Sequence, residues 1–343
     1  MTRDVATVPP PELPLDLDGI DLEEAVYRVL RFPTVADKTF LIHIGDRTVG
    51  GLCVRDQFVG PWQVPVSDVA ITASGFESVT GEAMAMGERT PLAALNPPAS
   101  GRMAVGEAVT NIAAAAIEDI GRIKLSANWM AAAGHPGEDA NLFATVKAIG
   151  DELCRELGIA IPVGKDSLSM RARWQDDAGE HQVVAPVSLI VSAFAPVTDV
   201  RRHLTPQLRA IDDGSALLLL DIGEGANRLG GSCLAQVFDR QGGETPDLDY
   251  PDRLTCFFRA IQRLSAAGLI LAYHDRSDGG LLATIAEMMF AGRQGASLQL
   301  PGSERDVLAQ LFSEELGAVI QVADSRVADV HEILDDCGAG WVD

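Results

Sequence analysis

The stretch Met103-Ala-Val-Gly-Glu107-Ala-Val-Thr-Asn111-Ile-Ala-Ala-Ala-Ala-Ile117 spaces its apolar residues for a helix. At 3.6 residues per turn, Val105, Val109, Ile112, Ala113 and Ala116 fall on one face. Glu107 and Asn111, four apart, project together from a different face, one turn above the other. A carboxylate and an amide oxygen so placed are hard ligands suited to Mg²⁺ or Ca²⁺. The same pair also fits the solvated side of an amphipathic helix. The alanine run offers small side chains, so other backbone can pack closely against the helix.

Working outward, the residues before this helix read as strands: Phe40–Ile44, Thr48–Leu52, and Val64–Thr72, which carries Asp68 among β-branched residues. An acid within such a strand needs compensation from a metal, a cation or a hydrogen-bond donor. After it, residues 140–157 predict a second helix, with Leu142, Val146, Ile149, Leu153 and Leu157 on one side and Lys147, Asp151, Glu152 and Glu156 in water. Val183–Ala195 supplies a strand pair. Residues 1–19 are Pro-rich and acidic, an extended linker, and 20–32 form a short helix. A composition shift over Pro196–Asp213 marks a domain boundary. Beyond it come a buried strand at Ala216–Asp221, a helix at 253–267, a strand at Leu269–Tyr273 and a helix over Leu281–Ala291. Strand Ser297–Leu300, helix 305–312, strand Ala318–Val322 and helix 326–336 complete the alternation.

With 343 residues the chain can bury a sizeable core in two domains. Its formal charge of −22 disfavours polyanions, so nucleic acid is excluded as a partner. A mononucleotide is not excluded, because backbone N–H groups and Mg²⁺ can neutralise its phosphates. Five scattered cysteines form no C-x-x-C pair, which argues against a zinc site or a disulfide framework. There is no signal-like N-terminus and no 18-residue apolar run, so the expectation is a cytoplasmic protein with no membrane partner.

Several loops carry chemistry. His274-Asp-Arg-Ser-Asp-Gly-Gly280 sits between a buried strand and a helix start, where unpaired N–H groups favour anions. Asp275 or Asp278 can hold a Mg²⁺ that meets a phosphate, with Ser277 or a glycine N–H reaching a phosphate oxygen. The competing reading is an N-cap by Ser277 or Asp278. Gly230-Gly231-Ser232 reads equally as a phosphate cradle or a plain turn. Gly164-Lys165-Asp166-Ser167 resembles a phosphate loop in composition only, and Gly134–Asp139 around His135 reads as a surface loop. No G-x-S-x-G or activated cysteine is present, so the chain looks incomplete as a free-standing catalyst.

Long literal runs add a resemblance. They are Arg55-Asp-Gln-Phe-Val-Gly-Pro-Trp-Gln-Val-Pro-Val66, Gly81-Glu-Ala-Met-Ala-Met-Gly-Glu88, Leu125-Ser-Ala-Asn-Trp-Met130 with Ala133–Asp139, Pro162–Ser167, His274–Gly280 and Glu314–Gln321. In this order they resemble the large, single-chain bacterial phosphoribosylformylglycinamidine synthases, across about residues 35–325. That family carries out ATP- and glutamine-dependent amidation of formylglycinamide ribonucleotide in purine biosynthesis. The resemblance implies a fragment, the second half of the synthetase region, inactive alone. It implies an α/β (α+β) unit like aminoimidazole ribonucleotide synthetase: residues 1–36 a linker and short helix, 37–198 a strand-rich subdomain that pairs into a β-barrel, and 199–343 a second α/β subdomain. It further implies Mg²⁺ ligands at Asp68, Glu107, Asn111 and Asp275, and nucleotide contacts (ADP or ATP) at Ser67 and Ser277. No catalytic residue is implied. The implied partners are the first synthetase copy and the glutaminase domain, with a dimer through an apolar barrel face on residues 38–75 as a further expectation. Two other readings are a non-catalytic nucleotide-binding module and a stand-alone aminoimidazole ribonucleotide synthetase-like enzyme.

Overall fold

The computed structural model describes residues 14–45 and 50–342, so the Pro-rich start and Thr48-Val49 lie outside the described residues. Helix α1 (Leu22–Arg31) opens the described chain, with Asp21 accepting from the Glu24 N–H at its start. Next come α2 (Thr39–Ile44) and strands β1 (Cys53–Arg55), β2 (Ala70–Ala73) and β3 (Gly81–Glu88). Helix α3 (Pro97–Ile112), β4 (Lys124–Met130), α4 (Glu138–Val146) and α5 (Cys154–Leu157) follow; a π-turn over Lys147–Leu153 joins α4 to α5. Strands β5 (Ala160–Ser167), β6 (Arg171–Asp176), β7 (Gly179–Val184) and β8 (Ser188–Val197) come next. The remaining elements are β9 (Ser215–Asp221), α6 (Cys233–Val237), α7 (Pro251–Ala266), β10 (Ala272–Asp275), α8 (Gly280–Gly292), α9 (Glu304–Phe312), β11 (Gly317–Ala323) and α10 (Val327–Cys337).

A six-stranded sheet runs β1-β2-β3-β8-β4-β5, with only the β4–β5 pair parallel. Helix α3 lies across it. Asn96 caps α3 by accepting from the Ala99 N–H, and Pro97 takes the first helical position, where no N–H is needed. The helix sits directly on β3: a Cβ at Gly87 would lie 2.2 Å from the Ala104 carbonyl oxygen and 2.5 Å from the Ala108 nitrogen. Its other flank meets the second sheet, where Tyr273 donates from its hydroxyl to Thr110 O at 2.6 Å and Leu316 packs on Gly106. That second sheet, β10-β11-β9, is antiparallel throughout. One core therefore runs from Val69 and Ile71 through α3 to Phe257, Phe258 and Ile320. The periodicity predicts an amphipathic helix; α3 is instead enclosed on nearly every side, which explains its small residues.

Several expected elements differ. The helix ends at Ile112 rather than running on to Ile117, because Gln262 of α7 takes over the backbone there, donating to Ala113 O and accepting from the Ile117 N–H, both at 2.9 Å. The strand expected at Phe40–Ile44 is α2. Asp37 accepts from the Thr39 N–H and hydroxyl, a local turn that starts a helix in spite of the β-branched residues. Only the end of Val64–Thr72 becomes strand, since Val59 and Val64 bridge to close a loop and Pro65 has no N–H for a ladder. Asp68 thus precedes β2. Val146, expected on the buried side of its helix, is exposed, because the π-turn shifts the inward face to Thr145, Ala148 and Ile149. Ser297–Leu300 is irregular and pairs with no strand among the described residues.

Alternate residues on the sheet face opposite α3 are uncovered: Met86 is 58% exposed, Val163 60% and Phe194 43%. On residues 38–75 the apolar surface is divided, with Phe40, Leu41 and Trp62 exposed but Phe58, Val59, Val69 and Ile71 buried. Among the described residues, no helix is long and apolar enough to cross a membrane.

Candidate functional site

The end of β10 and the turn into α8 bring together residues that are 206 positions apart. Asp68, just before β2, meets His274 and Asp275 of β10, their ligand atoms all within 4.8 Å of one another. His274 Nδ1 is 2.7 Å from Asp68 Oδ1, and its Nε2 is 2.6 Å from Glu287 Oε2 on α8. Burial works against a charged imidazole, yet Asp68 and Glu287 prevail and hold His274 well above its usual range. Burial, then the Asp68 charge, pushes the Asp275 carboxyl well up, and Glu107 adds to that push. Glu107 itself is raised to about 8, first by burial and further by Asp278, against Arg89.

Each expected site residue has a definite place. Glu107 Oε2 accepts from the Glu88 N–H at 2.7 Å, and Asn111 Nδ2 donates to Met86 O at 3.0 Å. The pair therefore faces β3, one turn apart, with Asn111 held there through its amide nitrogen. Ser67 donates to Val69 O at 3.0 Å. Ser277 is half-buried on the turn into α8. Asp68 and Asp275 are thus adjoining, and Glu107 acts electrostatically on Asp275.

The N-cap reading of the loop fails for a physical reason. Gly279, at φ 86°, occupies the cap position, and its N–H donates to Glu314 Oε1 at 2.9 Å. Asp278 instead pairs with Arg89, which also bridges to Glu314 at 3.1 Å. Burial raises Asp278 to about 6 in spite of Arg89. Cys233, Asp278 and Glu314 also lie within 4.8 Å, but the Arg89 guanidinium already serves as their cation. The Gly230-Gly231-Ser232 stretch is a plain turn and cap: the glycine N–H groups donate to Glu244 O and Gln241 O, and Ser232 caps α6. Sequence reasoning singled out the stretches holding His274 and Glu314 without giving either residue a role, and it passed over Glu287 and Arg89. Only His274 had a local signal, its place beside Asp275; the others act across long separations.

A cation is the partner that the donor set fits. Asp68 Oδ2 and Asp275 Oδ2 are both buried with no hydrogen bond. Such orphaned carboxylate oxygens are costly unless paired, and a hard divalent ion accepts several of them at once.

Residues 37–196 match the FGAR-AT PurM_N-like domain, and residues 212–342 match the C-terminal domain of AIR synthase related proteins. The chain is a member of the FGAM synthetase/PurM-like family. Its fold is the mixed α/β, AIR synthetase-like one. Thermotoga maritima PurL complexed with FGAR superposes with a TM-score of 0.62 at 14% identity, covering 93% of this chain and 48% of that one. The same protein complexed with ATP gives 0.57 at 14%, covering 93% and 47%. A HypE–HypF complex structure gives 0.52 at 15%, covering 79% and 82%. At these identities the structures attest a shared fold. The chain spans about half the length of the PurL structures, and in this PurM-like unit the carboxylate cluster lies where its two sheets meet.

Proposed function

We propose that this chain is the second synthetase unit of a large-type phosphoribosylformylglycinamidine synthase and holds a Mg²⁺–nucleotide, ADP or ATP. The observation that carries this is the pair of buried, unpartnered oxygens, Asp68 Oδ2 and Asp275 Oδ2. Asp68, Asp275, Glu107 and Asn111 would hold the ion, and the Ser67 and Ser277 hydroxyls would reach the nucleotide. When bound, Mg²⁺ would neutralise phosphate oxygens in a strongly acidic protein. The chain's own residues orient the carboxylates and keep water from them. In support, two of the similar structures are of T. maritima PurL complexed with ATP and with ADP.

The whole enzyme's reaction, a glutamine-dependent C–N ligation, would need the first synthetase copy and the glutaminase domain. The proposed division is residues 37–198 and 199–343, with the uncovered sheet face completing a β-barrel against the partner copy. Calorimetric titration of ADP into the nucleotide-stripped chain, with and without Mg²⁺, tests the site. Binding should require Mg²⁺ and be lost in Asp68→Ala. Binding that ignores both would refute the ligand set.

A second reading has its own support, because the fold also covers 82% of a chain of comparable size in the HypE–HypF complex structure. A stand-alone synthetase would turn over ATP unaided. The same unit as a structural nucleotide module would bind without turnover, even after the N-terminal half is added.

A further inference from the structure

We propose that His274 is a positioning residue which, braced by Glu287, clamps one oxygen of Asp68 so that the other faces the divalent cation. The proposal rests on the Mg²⁺–nucleotide reading above and deepens it. His274 stands between two carboxylates, 2.7 Å from Asp68 Oδ1 and 2.6 Å from Glu287 Oε2. Carboxylates accept, so both ring nitrogens donate and the ring is held from both ends. The Asp275 N–H adds a longer contact of 3.3 Å to the same Oδ1. Among the described residues, the donors to Asp68 therefore converge on Oδ1, while Oδ2 stays buried and unpartnered.

A carboxylate free to turn about its terminal torsion exchanges its two oxygens. This clamp removes that freedom. It also spans three elements, from the loop before β2 through β10 to α8, so it ties the first sheet's loop to the second sheet. His274 is poorly suited to be a ligand itself: both nitrogens are spoken for, and Mg²⁺ prefers oxygen. Groups that orient a metal's ligands typically alter affinity 10- to 100-fold when removed. The Glu287 side chain is 30% exposed, so it can be changed without opening the core.

The test uses the full chain, with Mn²⁺ in place of Mg²⁺ and bound ion counted by electron paramagnetic resonance, with and without ADP. Thermal melts run in parallel. His274→Phe should weaken Mn²⁺ about 10- to 100-fold. His274→Asn, whose amide can replace the Nδ1 donor, should recover most of that loss, and Glu287→Ala should weaken binding in the same direction. A folded His274→Phe with wild-type affinity would overturn the clamp while leaving the site intact. Equal affinities in His274→Phe and His274→Asn would assign His274 a packing role and likewise overturn it. If His274→Phe does not fold, Glu287→Ala decides the matter, and its unchanged affinity would reject the clamp. Failure of the wild type to bind Mn²⁺, or indifference to Asp68→Ala, would sink the site reading and the clamp with it.

Discussion

Asp68 illustrates what a single residue can announce. An acid among β-branched residues demands compensation, and the structure supplies half of it, through donors on one oxygen only. Glu107 carries a second consequence. Its carboxyl is raised to about 8, chiefly by burial, whereas an unfolded glutamate titrates near 4.3. Between about pH 5 and 8 the folded chain keeps a proton that the unfolded chain has released, so metal-free stability falls as pH rises. The slope should be on the order of 1 kcal/mol per pH unit. The raised Asp275 and Asp278 act in the same direction. Melts of wild type and Glu107→Gln across this range check it: the variant should show the shallower decline, and equal slopes would contradict the assignment. On the proposed Mg²⁺–nucleotide function, the ion needs the ionised carboxylate, so nucleotide binding should tighten over the same window.

At the scale of elements, α3 is the piece on which the two sheets meet. Its contact with β3 is backbone on backbone, so Gly87→Ala must push the helix away and should cost at least about 2 kcal/mol. Gly150, in the π-turn, has nothing within 4 Å of where a methyl would sit, and Gly150→Ala should be neutral or slightly stabilising. Urea unfolding of the two variants gives the contrast, and similar midpoints would undo the argument. Arg89 ties the end of β3 to Glu314 and to the loop entering α8. Arg89→Ala leaves a buried carboxylate without its cation, which should cost about 3–5 kcal/mol. Hydrogen exchange at Gly279 should rise with it; an unchanged Gly279 would show that Glu314 holds the loop without Arg89. Periodicity reads the helices well, as α7, α9 and α10 show. It reads short strands poorly, because Asp37 and the Val59–Val64 bridge override side-chain preference locally.

For the whole molecule, the bare sheet face is the feature with a measurable outcome. Met86, Val163 and Phe194 present apolar surface that water meets at a free-energy cost. The chain should self-associate or bind an apolar dye, and Phe194→Glu should reduce both; a clean monomer without dye binding would refute this. The sequence by itself determined the longer helices of the second half and the chain's strongly negative charge, since periodicity and net charge are local or additive. The PurM-like family was legible too, because its motifs are contiguous in the chain. Only the tertiary structure decided that Asp68, His274 and Glu287 form one hydrogen-bonded row, that Arg89 neutralises Glu314, and that Gln262 ends α3. Those contacts join positions 13 to 225 residues apart. No spacing rule reaches across such distances; only the packing of two sheets on one helix brings them within hydrogen-bond range.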